Sequence, residues 1–193
     1  TGETLENGID TPSGYSRITV SPNSFKQWLR QLPLKPENTP VRLHNGDNKQ
    51  NQAAHSRIFD IDVGRKDLQQ CADAIIRLRA EYLYSIDNYR DIHFKFSTGH
   101  NAKFTKWIRG YRPVVKGKKV WWEKTKRHSS SYSNFRRYLE RVFMYAGTYS
   151  LEREMRRVNV KDMEIGDVFI RGGFPGHAVL VVDMAGDHET GKK

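Results

Sequence analysis

Two apolar periodicities alternate along this 193-residue chain, and together they predict a mixed fold. Phe25, Trp28, Leu29 and Leu32 recur at helical spacing behind Ser21-Pro22, where serine caps and proline suits the first turn. That stripe ends before Pro33. A second helix is expected over 67–84, with Leu68, Cys71, Ala72, Ile75, Leu78 and Tyr82 along one face. A third, over 134–145, gathers Phe135, Tyr138, Leu139, Val142 and Phe143 and stops at Gly147. Thr148 or Ser150 then caps a further helix carrying Leu151 and Met155.

Period-two segments predict strands over 57–63 and 92–96, and a short one around 41–43 in the otherwise loop-like stretch 34–52. Residues 114–122 read as a hairpin turning at Gly117, while 104–112 fits helix or strand. Near the end, 165–170 and 176–182 read as two strands joined by a glycine-rich turn. The set describes an α+β fold, a small antiparallel sheet packed against helices. One domain over 14–186 holds it, with a flexible segment over 1–13 and a polar tail over 187–193.

Charge changes the picture more than size does. A formal charge of +11 and a pI near 9.8 predict attraction to polyanions: anionic wall polymers, lipid head groups or nucleic acid. No apolar run approaches the roughly 18 residues needed to span a bilayer. The polar start at Thr1, which is not Met, is expected to be a mature or trimmed end. With one cysteine there is no internal disulfide. The seven histidines lack metal-ligand spacing and no phosphate-cradling glycine loop is present, so neither a metal nor a cofactor is expected.

The one thiol, Cys71, and the histidine of Gly176-His177 are the candidate chemistry. Brought together, a thiol and an imidazole form a nucleophile and its base. A helix N-terminus and a nearby imidazole both favour the thiolate form of a cysteine. With Asp67 as the cap, Cys71 falls about one turn inside the helix. The alternative is a core cysteine, since Cys71 shares the apolar stripe and free cysteines are commonly buried. His177 sits where a strand emerges from a turn, a place for a functional group or for a structural histidine. Asp183 is six residues further along an extended strand, roughly 20 Å away, and cannot orient that ring.

Two segments resemble an uncharacterised bacterial family known as a domain of unknown function. One is Asp62-Val63-Gly64-Arg65-Lys66-Asp67-Leu68-Gln69-Gln70-Cys71-Ala72-Asp73-Ala74, continuing through Arg77-Leu78-Arg79-Ala80-Glu81-Tyr82-Leu83; the other is Gly166-Asp167-Val168-Phe169-Ile170-Arg171-Gly172-Gly173-Phe174-Pro175-Gly176-His177-Ala178-Val179. The likeness extends through Phe135-Arg136-Arg137-Tyr138-Leu139 and Tyr145-Ala146-Gly147-Thr148. It implies a bacterial envelope protein, exported and lipid-anchored or periplasmic, whose signal segment is absent here.

More distantly, the Cys71 helix and the Gly166-Asp167-Val168 to Gly176-His177-Ala178-Val179 hairpin resemble NlpC-type cell-wall amidopeptidases of papain-like fold. That resemblance implies Cys71 as nucleophile, His177 as base and backbone amides near Cys71 as oxyanion donors. Its orienting polar residue belongs on a strand after the histidine strand. The chain is therefore expected to be a truncated piece lacking one or more C-terminal strands.

Residues 103–127 carry ten basic side chains against one acid, Glu123, with Phe104, Trp107, Tyr111, Trp121 and Trp122 interleaved. Lys116, Lys118, Lys119, Trp121, Trp122 and Lys124 form a candidate patch for an anionic polymer. The competing reading packs half of these rings on the core and leaves the lysines as a solvated face. Expected functions are thus an envelope thiol hydrolase of amidase or peptidase type, or a non-catalytic envelope module binding an anionic polymer or partner protein; the expected partner is peptidoglycan or another anionic envelope polymer. Nucleic acid is favoured by charge alone.

Overall fold

Short elements follow one another as α1 (Leu5–Gly8), β1 (Tyr15–Arg17), α2 (Phe25–Arg30), α3 (Cys71–Ser85), β2 (His93–Lys95), β3 (Asn101–Lys103), α4 (Phe104–Ile108), β4 (Tyr111–Lys116), β5 (Lys119–Lys124), α5 (Tyr132–Phe143), α6 (Thr148–Glu154), β6 (Val168–Arg171), β7 (His177–Leu180) and β8 (Ala185–Asp187). This computed structural model describes residues 2–187 and Thr190. The class is α+β, as the periodicities predict. The strands form four two-stranded antiparallel sheets, β1–β8, β2–β3, β4–β5 and β6–β7, where one small sheet was expected.

By internal packing the chain forms two compact units. One comprises 1–67, 161–167 and 181–193; the other comprises 68–160 and 168–180. The polar tail expected from 187 onward lies, apart from Asp187 and Thr190, outside the described residues.

In the first unit, residues 5–8 are helical within the segment expected to be flexible, because Leu5 is buried and its N–H bonds Leu32 O at 3.0 Å. Helix α2 starts at Ser24, not Ser21, since the Ser24 hydroxyl accepts the Gln27 N–H. Strand β8 pairs with β1, Arg17 opposite Ala185. Arg17 and Arg30 both bind the Asp183 carboxylate, Nε to oxygen 2.7 Å in each case. Of the strand expected over 57–63, only a bridge between Leu34 and Phe59 forms, and around 41–43 only one between Arg42 and Asn48.

The second unit is organised by aromatic packing. Phe135, Tyr138, Leu139 and Val142 of α5 recur at i, i+3, i+4 and i+7 and are almost wholly buried. Each such side chain contributes on the order of 1.5–3 kcal/mol by leaving water. They meet Phe104 and Trp107 of α4, the segment whose periodicity left helix and strand open, and Ile75, Ile76, Ala80 and Leu83 of α3. Rings of Tyr84 and Phe135 stack at 4.4 Å, and Phe104 and Tyr138 lie 5.1 Å apart. Two ring polar groups that this packing buries are matched: Tyr138 donates to Ala102 O at 2.6 Å, and Trp107 Nε1 donates to Asn134 Oδ1 at 2.9 Å. Ala178 of β7 joins the same apolar cluster, and α3 packs against β7.

Candidate active site

Cys71 is the first residue of α3, not one turn inside it. Gln70 is the cap, with extended backbone (φ −96, ψ −165), and its N–H is taken by Asp73 Oδ2 at 3.1 Å. Asp67, expected as the cap, instead faces His44 at 3.7 Å with its carboxylate largely exposed. A three-residue offset thus moves the thiol to the helix end. There the backbone N–H groups of the first turn have no carbonyl within the helix to bond. The Cys71 side chain is free and half-buried, between the core and open extremes the sequence allows.

His177 opens β7, and strict alternation follows it. Ala178 is buried in the cluster that also contains Ala72, while His177 and Val179 are exposed. Across the hairpin Arg171 pairs with His177 and Phe169 with Val179, so these four side chains form the outer face. The connecting residues 172–176 form the expected glycine-rich turn, with a cis Phe174–Pro175 bond and Phe174 93% exposed at its tip. That turn rests on α6. A Cβ at Gly176 would come within 2.0 Å of Thr148 Oγ1, and one at Gly172 within 2.6 Å of Glu152 Oε2.

The structure therefore brings the helix opened by Cys71 and the strand opened by His177 into one packed layer. Neither side chain makes a hydrogen bond or ion pair among the described residues. Asp183, already excluded as an orienting group by extended-chain length, has its carboxylate occupied by Arg17 and Arg30.

A polar row that runs from the segment before α3 along the helix escaped the sequence reading. Gln69, Asp73, Arg77 and Glu81 are spaced by four residues, the signal that could have revealed it. Arg77, 3% exposed, donates Nε to Glu81 Oε1 at 2.7 Å and Nη1 to Gln69 Oε1 at 3.0 Å, and Tyr132 donates to the same Glu81 oxygen at 2.8 Å. Asp73 is 8% exposed, and its second oxygen, Oδ1, is buried without a hydrogen-bond partner among the described residues. Burial dominates the Gln70 N–H bond and raises its carboxyl from 3.8 to about 6.

The candidate polymer patch splits across the β4–β5 hairpin. Val115, Val120 and Trp122 pack on the core, and the Trp122 indole donates to His100 Nε2 at 2.7 Å. Burial, and then the charge of Lys106, lower the His100 pKa, which keeps that acceptor nitrogen free. Trp121 is 41% exposed on the other face and donates to Glu123 at 2.7 Å. Lys119 accompanies it, with Lys116 opposite Lys119 across the hairpin; Lys118 occupies the turn and Lys124 the far end, opposite Tyr111. One tryptophan is thus presented and one is not. Among the described residues no cluster of three or more metal-ligating side chains occurs, and no helix is long and apolar enough to cross a membrane.

These features define an α+β protein of small hairpins on an aromatic helical core, with a half-buried thiol at a helix start and an exposed imidazole on the strand packed against that helix. The model of the family described as domain of unknown function (4846) matches residues 5–193, and the chain belongs to that family. No curated protein and no solved structure matches it.

Proposed function

We propose that this protein is a thiol hydrolase of papain-like, NlpC-type outline, with Cys71 as nucleophile and His177 as general base. The observation that carries the reading is the packing of α3 against β7, which holds the residues after each candidate, Ala72 and Ala178, in one buried cluster. Cys71 Sγ attacks an amide carbonyl carbon, and the developing oxyanion faces first-turn backbone N–H groups of α3. His177 takes the thiol proton and returns it to the leaving amine. The acyl thioester is then cleaved by water, releasing the acid and restoring the thiol. Because His177 lies on the outer face of the hairpin, opposite the Ala178 side that packs with Ala72, the mechanism requires the imidazole to swing round the strand end to reach Cys71 Sγ in the substrate complex. The resemblance to cell-wall amidopeptidases and the +11 charge favour a peptide amide of the bacterial envelope's anionic wall as substrate.

The test is the rate of Cys71 alkylation by iodoacetamide near neutral pH. Faster labelling in the folded chain than in denaturant, slowed by His177→Ala, supports the dyad. Equal labelling of the two forms, or no effect of His177→Ala, removes it.

Exposure of Trp121 beside Lys119 favours a second reading, a non-catalytic module holding an anionic polymer. Binding to insoluble peptidoglycan that falls with salt and with Lys119→Glu, yet survives Cys71→Ser, would select it.

A further inference from the structure

The second unit carries a cleft of about 450 Å³ that is not lined by either candidate catalytic residue. Three cations line it from three different elements: Lys95 on β2, Lys118 in the β4–β5 turn and Arg153 on α6. The Ser97 and Thr98 hydroxyls, in the β2–β3 turn, supply neutral donors beside them. No carboxylate is among the lining residues, and none of the three cations has an ion-pair partner among the described residues. Glu154, on the helix that bears Arg153, has its Oε1 directed to the Lys95 backbone N–H, and its charge acts on Lys95 without the carboxylate lining the cleft.

Arg153 is held for recognition. Its guanidinium lies 3.8 Å over the Tyr149 ring, which fixes its plane and leaves its N–H edges to bond a ligand. Like charges gathered from separate elements repel unless an anion joins them. A phosphate group answers this arrangement better than a carboxylate, because three acceptor oxygens and up to two negative charges match three cations and two hydroxyls. The volume lies within the range of about 300–1,000 Å³ common to small-molecule sites and exceeds the need of a bare phosphate.

The geometry points to a binding site for a small organic phosphomonoester in this cleft, its phosphate held by Lys95, Lys118 and Arg153. The site is independent of the thiol chemistry proposed above.

Titration of the full chain with glycerol 3-phosphate, followed by amide NMR and calorimetry at low salt, tests it. The expected result is saturable one-to-one binding that shifts the Ser97, Thr98 and Gly99 amides, with no response to glycerol. Lys118→Ala, at an exposed turn, and Arg153→Gln are each expected to weaken it by about tenfold, the worth of one charge-assisted contact. Lys124→Ala on the same hairpin, and Cys71→Ser, are expected to leave it within about twofold. Tighter binding of glycerol 3-phosphate than of inorganic phosphate supports an organic ligand; equal binding of the two reduces the site to a bare phosphate site and overturns the organic assignment. No saturation by about 10 mM, or equal loss in Lys118→Ala and Lys124→Ala, overturns the site itself.

Discussion

Asp73 reaches back across Cys71 to take the Gln70 N–H at 3.1 Å, so a buried carboxylate closes the turn in which the thiol sits. Because burial raises its pKa from 3.8 to about 6, the folded chain holds this proton more tightly than the unfolded chain between those values. Stability attributable to Asp73 is therefore greatest below about pH 4, declines as pH rises to about 6, and stays reduced above that. Asp73→Asn keeps an oxygen for Gln70 while removing the charge. It is expected to raise stability near neutral pH by on the order of 1 kcal/mol and to flatten the slope between about pH 4 and 6. Urea unfolding at the two ends of that window reads both effects.

Arg77 is the most constrained charge on α3. Removing it strands Glu81, which is largely buried, and frees Gln69 and the Tyr132–Glu81 contact from their common partner. Arg77→Ala is expected to lose about 3–5 kcal/mol of stability. Arg77→Lys recovers only part, since an ammonium lacks the planar fork that reaches Glu81 and Gln69 together. Denaturant midpoints of the two variants and the parent measure this.

Gly176 admits no side chain. A methyl there meets Thr148 Oγ1 at 2.0 Å, Gly173 O at 2.7 Å and Arg171 O at 2.9 Å. Gly176→Ala is expected to cost about 1–3 kcal/mol and to displace the adjoining His177. Adding Thr148→Ala removes the closest contact but leaves both carbonyls, so rescue is partial. A double-mutant cycle on thermal stability gives the coupling. Full rescue would place the clash on Thr148 alone.

His100 accepts the Trp122 indole N–H, and it can do so only while Nε2 is unprotonated. Burial and Lys106 depress its pKa below 6.5, so the unfolded chain binds this proton first as pH falls. The stability it supports is complete above about pH 6.5 and declines below, opposite in sign to the Asp73 effect. His100→Gln offers a carbonyl that never charges. It is expected to abolish the acid-side loss and to hold the Trp122 indole N–H resonance constant from about pH 7 to 5, as NMR would show.

Helix α5 was readable because its apolar side chains repeat with the helical period regardless of what they pack against. The β4–β5 turn at Gly117 and the glycine-rich β6–β7 turn were readable for a similar local reason: φ at Gly117 is +57 and at Gly173 +146, conformations that favour glycine. The start of α3 was not. By type Asp67 is the better cap, yet Gln70 takes that position because the Asp73 carboxylate, drawn into a buried environment, accepts the Gln70 N–H while Asp67 stays exposed. Strand β8 was missed because Ala185-Gly186-Asp187 has no strand propensity, and it forms by backbone pairing with β1, more than 160 residues earlier.

The α+β class, the main helices and turns and the basic charge were legible in the chain alone, because each is encoded within a short window. Tertiary structure alone decided that Cys71 stands at a helix start, that Trp121 is presented while Trp122 is packed, and that Lys95, Lys118 and Arg153 share a cleft. Those outcomes depend on burial and on contacts between distant segments, which no local pattern of residues specifies.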